Sequence, residues 1–322
     1  MQYRTLPGSD LSVSVIGLGC NAFGTRADQH VSRLIIDSAI DAGVTLFDTA
    51  EAYGGGRSEE ILGEAFVGRR DAVVLSTKGG GAGGAVPGTE RAHKGSSRAF
   101  LRAALERSLR RLRTDYIDIY FLHYFDPDTP PEETLATLDE FVLAGKVRYA
   151  GVSNYEPQQL DRMLSLASDD TTLRPSVVQA SYSLVDRTAE SGLFPVCAAR
   201  RLGVFAFWPL GGGLLSGKYQ PGAAPPEHSR VVTQPIFAKS FSEKRLLLSE
   251  HVAKLAGSAG CSTAQLAIAW VLARAGISSA LTGATNLQQL HDNVGAATVA
   301  LKPIVQETLD ELSRESTETP FR

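Results

Sequence analysis

Cysteine is scarce in this sequence, and the few cysteines are far apart. Cys20, Cys197 and Cys261 are the whole set in a chain of 322 residues. A disulfide framework needs more cysteines than this, and a CxxC metal site needs them at close spacing, so both are excluded. We therefore expect a protein of a reducing compartment.

Long apolar runs and an excess of one charge are also missing. No stretch reaches the roughly 18 apolar residues of a membrane helix, and the first residues lack the basic and apolar regions of a signal peptide. The 32 basic residues nearly balance the 35 acidic ones, which gives a formal charge of -3. The six arginines between Arg98 and Arg113 are typical of the solvated face of a helix. We predict a soluble, cytoplasmic protein that binds neither membranes nor nucleic acids.

Short β-prone runs alternate with segments of helical periodicity almost from end to end. The clearest helix has leucines at spacings of three and four from Leu101 to Leu112, with Ser96 or Ser97 as its cap. The eight predicted strands are Val13–Leu18, Val44–Asp48, Val73–Lys78, Ile117–His123, Val147–Val152, Val177–Gln179, Val204–Trp208 and Ser279–Thr282. Their valines and isoleucines do not alternate with polar residues, which is typical of parallel strands covered by helices on both faces.

Eight βα units in a chain of this length predict a closed (β/α)8 TIM barrel that forms one domain over residues 1–322. The alternative is a doubly wound sheet, which breaks more naturally into two halves, and no linker divides these units. An N-terminal hairpin at Tyr3–Val15 and a helix at Pro303–Arg314 complete the predicted fold. The long connections 79–95 and 216–240 each follow a strand, so we interpret them as mobile covers over a site at the carboxyl end of the barrel.

Two glycine-rich segments resemble nucleotide-binding motifs without completing them. Gly17–Ala22 fits the dinucleotide fingerprint, but Gly24 interrupts the helix that should follow, and Asp48 lies too far along to be the acidic residue. Gly212–Lys218 fits the front of a P-loop, but Tyr219 stands where Ser or Thr would bind Mg²⁺. We therefore reject an NTPase and disfavour a Rossmann fold. A phosphate-contacting loop at the second segment stays open.

Three ionisable residues, Asp48, Lys78 and His123, end three successive predicted strands. In a parallel barrel they point from the same rim toward a shared centre, and Tyr53 lies in the loop that follows Asp48. Each residue alone has an ordinary interpretation, such as a helix cap, a solvated lysine, a core histidine or a packed ring. Their joint placement on consecutive units indicates a catalytic site.

Such a group suits proton transfer to a carbonyl oxygen. The phenol of Tyr53 is the candidate acid, and Lys78 is expected to lower its pKa, because a cation at ~4 Å is worth about 4 kcal/mol at an effective dielectric of 20. Asp48 would keep Lys78 charged, and His123 would donate a hydrogen bond to the carbonyl. None of the four can supply electrons, so a redox cofactor is required.

At these residues the sequence resembles the aldo-keto reductase family over nearly its whole length. The matching blocks are FDTAEAYGGGRSEEILGEAF (47–66), SLRRLRTDYIDIYFLH (108–123), GKVRYAGVSN (145–154) and LTGATNLQQLHDN (281–293). The resemblance implies a (β/α)8 barrel that binds NADP(H) without a Rossmann fold and transfers hydride to an aldehyde or ketone. It also implies the tetrad Asp48, Tyr53, Lys78 and His123.

The resemblance further implies a set of cofactor contacts. They are Ser153, Asn154 and Gln179 for the nicotinamide carboxamide, Phe207 or Trp208 with Pro209 for its ring, Leu210, Gly212 and Lys218 for the pyrophosphate, and Gly283, Thr285, Gln289, Asp292 and Asn293 for the adenosine end. Trp208 stands where many relatives have Ser, and Asp292 replaces a usual Glu. Asn286 replaces an arginine that often meets the 2′-phosphate, and Arg230 could supply that charge.

We predict an NADP(H)-dependent carbonyl reductase that acts on a small carbonyl or alcohol, with NAD(H) as the alternative cofactor. A non-catalytic cofactor sensor resembling potassium-channel β-subunits is the rival function, and a lyase or isomerase barrel is the third. The intact tetrad favours the enzyme. The histidines at 30, 93, 228, 251 and 291 have no metal-ligand spacing, so we assign no metal.

Overall fold

The computed structural model describes residues 1–80, 95–167, 175–227, 229–233 and 241–316. Most of the first predicted cover and part of the second lie outside these residues, and so do His93, His228 and the C-terminal tail.

Eight parallel strands of the described chain close into a barrel. They are β3 (Ile16–Gly19), β4 (Leu46–Asp48), β5 (Val74–Gly79), β6 (Ile117–Leu122), β7 (Val147–Ser153), β8 (Val177–Ser181), β9 (Gly203–Phe207) and β10 (Ile277–Thr282). Each strand pairs with the next along the chain, and β10 closes the ring by pairing with both β9 and β3. The predicted (β/α)8 TIM barrel is confirmed.

The first predicted strand covers two elements of the structure. Ser12–Ser14 is strand β2 of a small antiparallel sheet with β1 (Tyr3–Thr5), and the barrel strand β3 begins only at Ile16. The change occurs at Val15, whose N–H donates to the carbonyl of Gln2 while its own carbonyl accepts from the barrel. Apolar character continues through both elements, so the sequence does not mark the boundary.

The predicted N-terminal hairpin is confirmed, and it closes the amino end of the barrel. Leu6, Leu11 and Val13 of the hairpin segment are buried against side chains inside the barrel. That cluster contains Leu46, Val74, Ile119, Phe121, Val177, Phe205 and Leu281. Because packed apolar side chains fill this end, the open end of the barrel is the carboxyl end of the strands.

Helices surround the barrel as crossover connections. In the described residues they are α1 (Gln29–Asp41), α2 (Arg57–Ala65), α3 (Arg98–Leu112), α4 (Pro131–Leu143), α5 (Pro157–Leu166), α6 (Leu193–Ala199), α7 (Arg230–Thr233), α8 (Glu243–Ala259), α9 (Thr263–Leu272), α10 (Leu287–Gly295) and α11 (Pro303–Ser316). Ser97 is the cap of α3, and its hydroxyl accepts from the N–H of Phe100. Helix α11 confirms the predicted terminal helix.

None of these helices, within the ranges described, is by itself long and apolar enough to cross a membrane. Helices α8 and α9 meet the length and composition criteria only when taken together, and they are bent by 93° at the break between them.

The arginines of α3 are not simply a solvated face, and that prediction is wrong for two of them. Arg107 pairs with Glu51 at 3.0 Å, and Arg111 pairs with Glu59 at 3.2 Å. Both carboxylates are buried. An exposed arginine stripe and one that faces buried acids of another element look the same in sequence, because the acids lie about 50 residues away.

Candidate active site

The carboxyl ends of the barrel strands open into a cavity of about 920 Å³. All of the residues predicted for catalysis and cofactor binding line it. They are Asp48, Tyr53, Lys78, His123, Ser153, Asn154, Gln179, Phe207, Trp208, Pro209, Leu210, Gly212, Lys218, Arg230, Gly283, Thr285, Gln289, Asp292 and Asn293. The fold therefore brings together residues from most of the length of the chain.

The strand ends converge as the sequence predicts. Asp48 is the last residue of β4, Lys78 lies one residue before the end of β5, and His123 directly follows β6. Lys78 donates to Asp48 with 2.6 Å between Nζ and Oδ2. The Tyr53 ring centre lies 5.1 Å from the ammonium and 5.9 Å from the centre of the His123 ring, which it meets edge-on.

Tyr53 reaches this point because the chain turns sharply after it. Tyr53 begins a 3-10 turn that ends at Gly56, and the three glycines of the turn have positive φ angles, a region that other residues rarely adopt. A Cβ at Gly56 would also lie 2.4 Å from the guanidinium carbon of Arg111, so that side chain would have to shift. The glycine run of the sequence thus sets the direction of the catalytic tyrosine candidate.

The Asp48 and Lys78 pair is buried, and each partner makes further hydrogen bonds. Oδ1 of Asp48 accepts from Ser76 Oγ at 2.7 Å and from Gln179 Nε2 at 2.6 Å. Lys78 is 1% exposed and donates a second hydrogen bond, to the carbonyl of Thr49 at 2.7 Å. Burial by itself lowers the pKa of Lys78, but Asp48 and Tyr53 outweigh it and hold that pKa above its ordinary value. Lys78 is therefore a cation at neutral pH.

Lys78 lowers the pKa of Tyr53, as predicted, but the pKa still lies above its ordinary value, so the predicted net decrease is wrong. Burial of the phenol is the largest cause, and the charge of Lys78 opposes burial without overcoming it. Asp48 and Tyr124 raise the pKa further. The sequence argument counted the attraction of the cation but not the cost of removing the phenolate from water. Tyr53 is consequently protonated at neutral pH.

His123 is a neutral imidazole at the same point of the cavity. Burial, assisted by the charge of Lys78, lowers its pKa to about 3. Its ring stacks on Tyr124 with 4.6 Å between centroids, and its carbonyl accepts from Asn154 Nδ2 at 3.0 Å. A neutral ring has one N–H donor, which suits a hydrogen bond to a carbonyl oxygen.

Two of the polar residues predicted for the nicotinamide make further contacts within the protein. Asn154 has a left-handed backbone, with φ of 57°, and its amide also donates to Ser153 Oγ at 3.1 Å. The Nε2 group of Gln179 is held by Asp48. Their predicted role toward a cofactor stays a prediction, and the structure adds that Gln179 anchors the Asp48 carboxylate.

Two aromatic rings form one wall of the cavity. Phe207 ends β9, and Trp208 follows it with φ of 55°. Their centroids are 5.5 Å apart and their planes are inclined at 83°. Because the rings are nearly perpendicular, only one of them can lie parallel to a given flat ligand. Either ring remains a candidate platform.

Three cations lie near one another along the cavity. Burial and then neighbouring positive charge lower the pKa of Lys218 and Arg230, the latter to about 10. The positive charge of Arg26 contributes to lowering the pKa of both residues, and burial lowers the pKa of Arg26 itself. Clustered cations attract phosphate groups. Sequence analysis missed Arg26, because a lone arginine in a loop is ordinarily a surface residue.

Helix α10 meets the cavity at its amino end. Asn286 caps this helix and accepts from the N–H of Gln289 at 2.9 Å. Gln289 Oε1 accepts in turn from the N–H of Thr285 at 2.9 Å, and Asn293 Nδ2 donates to the carbonyl of Gly283 at 3.2 Å. Asparagine at position 286 thus stabilises the helix end, as capping residues do.

Ser76, Thr49 and Tyr124 are site residues that sequence analysis also missed. For Ser76 a signal was present, because it lies two residues before Lys78, and a strand places such residues on the same face. The contributions of Thr49, through its backbone carbonyl, and of Tyr124 have no comparable pattern in the sequence.

Among the described residues, no group of three or more histidine, cysteine or acidic residues is arranged to hold a metal ion. Burial raises the pKa of the Cys20 thiol well above its ordinary value and that of Cys197 to about 12. Both thiols are therefore protonated at neutral pH and unsuited to nucleophilic chemistry.

Comparison with known proteins agrees with this geometry. A family model described as the aldo/keto reductase family matches residues 15–314. A probable voltage-gated potassium channel subunit beta of Oryza sativa subsp. japonica is 35% identical over 100% of this chain and 98% of its own length. An L-glyceraldehyde 3-phosphate reductase of Escherichia coli (strain K12) is 35% identical over 92% of this chain and 87% of its own length. An uncharacterized oxidoreductase of Bacillus subtilis (strain 168) is 34% identical over 97% of this chain and 96% of its own length.

Proposed function

The chain belongs to the aldo/keto reductase family of oxidoreductases, and from that premise we propose that it reduces aldehydes or ketones to alcohols with NADP(H), Tyr53 acting as general acid. Family members generally use NAD(P)H. The observation that carries the proposal is the cluster in which a protonated phenol, a charged ammonium and a neutral imidazole meet in one cavity. This is the donor set that a developing alkoxide needs.

The residues of the cavity fit a nicotinamide dinucleotide. The cations Arg26, Lys218 and Arg230 suit its phosphate groups, and Phe207 or Trp208 offers a ring face to its nicotinamide. The volume of about 920 Å³ is at the upper end of the ~300–1,000 Å³ range of ligand sites, which leaves room for a small substrate. When bound, the reduced dinucleotide supplies the hydride that these side chains cannot.

Each member of the tetrad has a distinct task in this proposal. Tyr53 gives its proton to the carbonyl oxygen, and Lys78 stabilises the phenolate that results. Asp48 keeps Lys78 charged and oriented through their 2.6 Å contact. His123 donates its one N–H to the carbonyl oxygen and so selects the orientation of the substrate. In the oxidation direction the phenolate of Tyr53 takes the alcohol proton.

We propose NADP(H) rather than NAD(H) because of the surplus of cations in the cavity. Two phosphates are common to both dinucleotides, and a 2′-phosphate adds further negative charge. Lys218, Arg230 and Arg26 together supply three positive charges toward such a ligand. Comparing the dissociation constants of NADPH and NADH by nicotinamide fluorescence tests this choice, and tighter binding of NADH would contradict it.

Tyr53→Phe tests the general-acid assignment. We expect turnover to fall by about 10²–10⁴-fold, which is the usual contribution of a general acid, while the dissociation constant of NADPH stays within about twofold. Tyr155→Phe is the control, because Tyr155 is a buried tyrosine that lies outside this cavity. A Tyr53→Phe enzyme as active as the control would refute the proposal.

A second candidate is a cofactor-binding regulatory subunit, which the likeness to the plant channel subunit favours. The complete tetrad favours the enzyme, since a purely regulatory barrel does not need it. NADPH consumption with a panel of aldehydes and ketones separates the two functions. Phosphorylated aldehydes belong in that panel because of the cation cluster and because the Escherichia coli relative is named as an L-glyceraldehyde 3-phosphate reductase. No consumption with any substrate would favour the regulatory role.

A further inference from the structure

A second polar network lies beneath the loop that carries Tyr53. Its centre is Glu59 of α2, whose side chain is 0% exposed. Glu59 accepts from Thr77 Oγ1 at 2.7 Å and from Arg111 Nη1 at 3.2 Å. A fully buried carboxylate is costly unless it is paired, and Thr77 and Arg111 provide that pairing here.

Arg111 connects this buried acid to the loop. Besides Glu59, its Nη1 group points to the backbone carbonyl of Glu51 at 3.5 Å. The same guanidinium lies against Gly56, where a Cβ would come within 2.4 Å of it. Glu51 and Gly56 lie on either side of Tyr53, so one planar cation supports the loop at both of its ends.

The same network reaches Lys78 from the other side. Thr77, which bonds Glu59, is the residue before Lys78 on β5. The N–H of Glu51 donates to the carbonyl of Lys78 at 3.1 Å. The loop of Tyr53 and the strand of Lys78 are therefore both held by Glu59, Arg111 and Glu51, none of which reaches the cavity.

We propose that Arg111, together with Glu59, is a positioning residue that sets the distance between the Tyr53 phenol and the Lys78 ammonium. The inference rests on the proposed function, because it concerns the geometry of the same proton transfer. Misplacement of a reacting group by about 1 Å can cost on the order of 10²-fold in rate. The network acts on catalysis without touching cofactor or substrate.

Two substitutions of Arg111 test the proposal. Arg111→Lys keeps the charge but loses the planar fork that reaches both Glu59 and the loop. The double variant Glu59→Gln, Arg111→Met removes both charges and so avoids an unpaired buried carboxylate. Arg102→Met is the matched control, because Arg102 lies on the same helix and pairs with Glu140 at the surface.

We expect kcat to fall about 10-fold in Arg111→Lys and about 10–100-fold in the double variant, relative to Arg102→Met. The dissociation constant of NADPH should stay within twofold, and the solvent deuterium isotope effect on kcat should rise, because proton transfer becomes slower. A merely structural role would lower the melting temperature and leave the isotope effect unchanged. Folded variants with kcat within twofold of the control would overturn the proposal, and so would an Arg111→Lys protein that does not fold.

Failure of the proposed function gives a different result. If Tyr53→Phe retains turnover, Tyr53 is not the acid, whatever Arg111 does. Hydrogen exchange of the backbone amides of residues 49–56 then tests the positioning alone. Faster exchange in the double variant than in Arg102→Met supports it, and equal exchange rates contradict it.

Discussion

Replacing Lys78 with methionine removes the cation beside Tyr53 with little change in side-chain length. The ammonium lies 5.1 Å from the centre of the phenol ring, and it is the charge that opposes the effect of burial on the pKa of Tyr53. Without it, burial and the carboxylate of Asp48 act together to raise that pKa further. We therefore expect Lys78→Met to make the phenolate of Tyr53 much rarer.

The size of the effect follows from the distance. At an effective dielectric of about 20, a unit charge 5.1 Å away stabilises the phenolate by about 3 kcal/mol. At 1.36 kcal/mol for each factor of ten, this corresponds to roughly a 10²-fold smaller phenolate fraction at any pH below the pKa of Tyr53. Because the proposed alcohol oxidation uses the phenolate as base, its rate should fall by the same factor.

The assay is alcohol oxidation with NADP⁺ between pH 7 and 9. In the unmodified protein the rate should rise with pH throughout this range, because the pKa of Tyr53 lies above its ordinary value. Lys78→Met should show the same slope at rates about 10²-fold lower. The double variant Asp48→Asn, Lys78→Met controls for the carboxylate of Asp48, which Lys78→Met alone leaves without its cation. Lys218→Met is a second control, and it should change cofactor binding rather than the slope of rate against pH.

The reasoning is refuted if folded Lys78→Met, saturated with cofactor, oxidises alcohol within about fivefold of the unmodified protein. That result would mean that another group stabilises the phenolate. A rate that does not rise between pH 7 and 9 would equally contradict the raised pKa of Tyr53.

Three further predictions concern stability, each measured as the free energy of unfolding in denaturant. His123 has a pKa of about 3 in the folded protein, below its ordinary value of about 6.5. Protonation of this histidine in the unfolded chain therefore lowers the free energy of unfolding as pH falls below about 6.5. His123→Gln should lose less stability between pH 7.5 and 4.5 than the unmodified protein does. Gly63→Ala should destabilise the protein by about 1–3 kcal/mol, because the new Cβ would lie 2.2 Å from a backbone oxygen of α3. Gly257→Ala should instead stabilise it by about 0.5–1 kcal/mol, because that helical position has open space around it. Asp310→Ala should cost about 3–5 kcal/mol, since it removes the carboxylate partner of Arg274 and one of the two carboxylates that Arg187 contacts, whereas the exposed Asp161→Ala should cost at most about 1 kcal/mol. Equal losses within either pair would contradict the corresponding argument.

Much of the site could be predicted because its signals are local. Asp48, Lys78 and His123 each end an apolar run, and parallel strand ends meet at one rim whatever the details of packing. The cofactor contacts came from the family resemblance, and every one of those residues lines the cavity. Arg26 escaped because nothing in its neighbours along the chain distinguishes it from a surface arginine.

Boundaries and pairings were predicted less well. The passage from hairpin to barrel at Val15 occurs within one apolar run, so periodicity alone could not separate β2 from β3. The arginines of α3 have helical spacing in either setting, and only the fold brings Glu51 and Glu59 beneath them.

The sequence by itself determined the barrel, its hairpin and the convergence of the tetrad, because strand pattern and strand ends depend on neighbouring residues. The tertiary structure alone decided the charge states of that tetrad. The pKa of Tyr53 depends on how deeply the phenol is buried, and Gln179 reaches Asp48 across 131 residues of chain. Desolvation and long-range contacts are properties of the packed molecule, so a count of charges along the chain predicted the wrong direction for Tyr53.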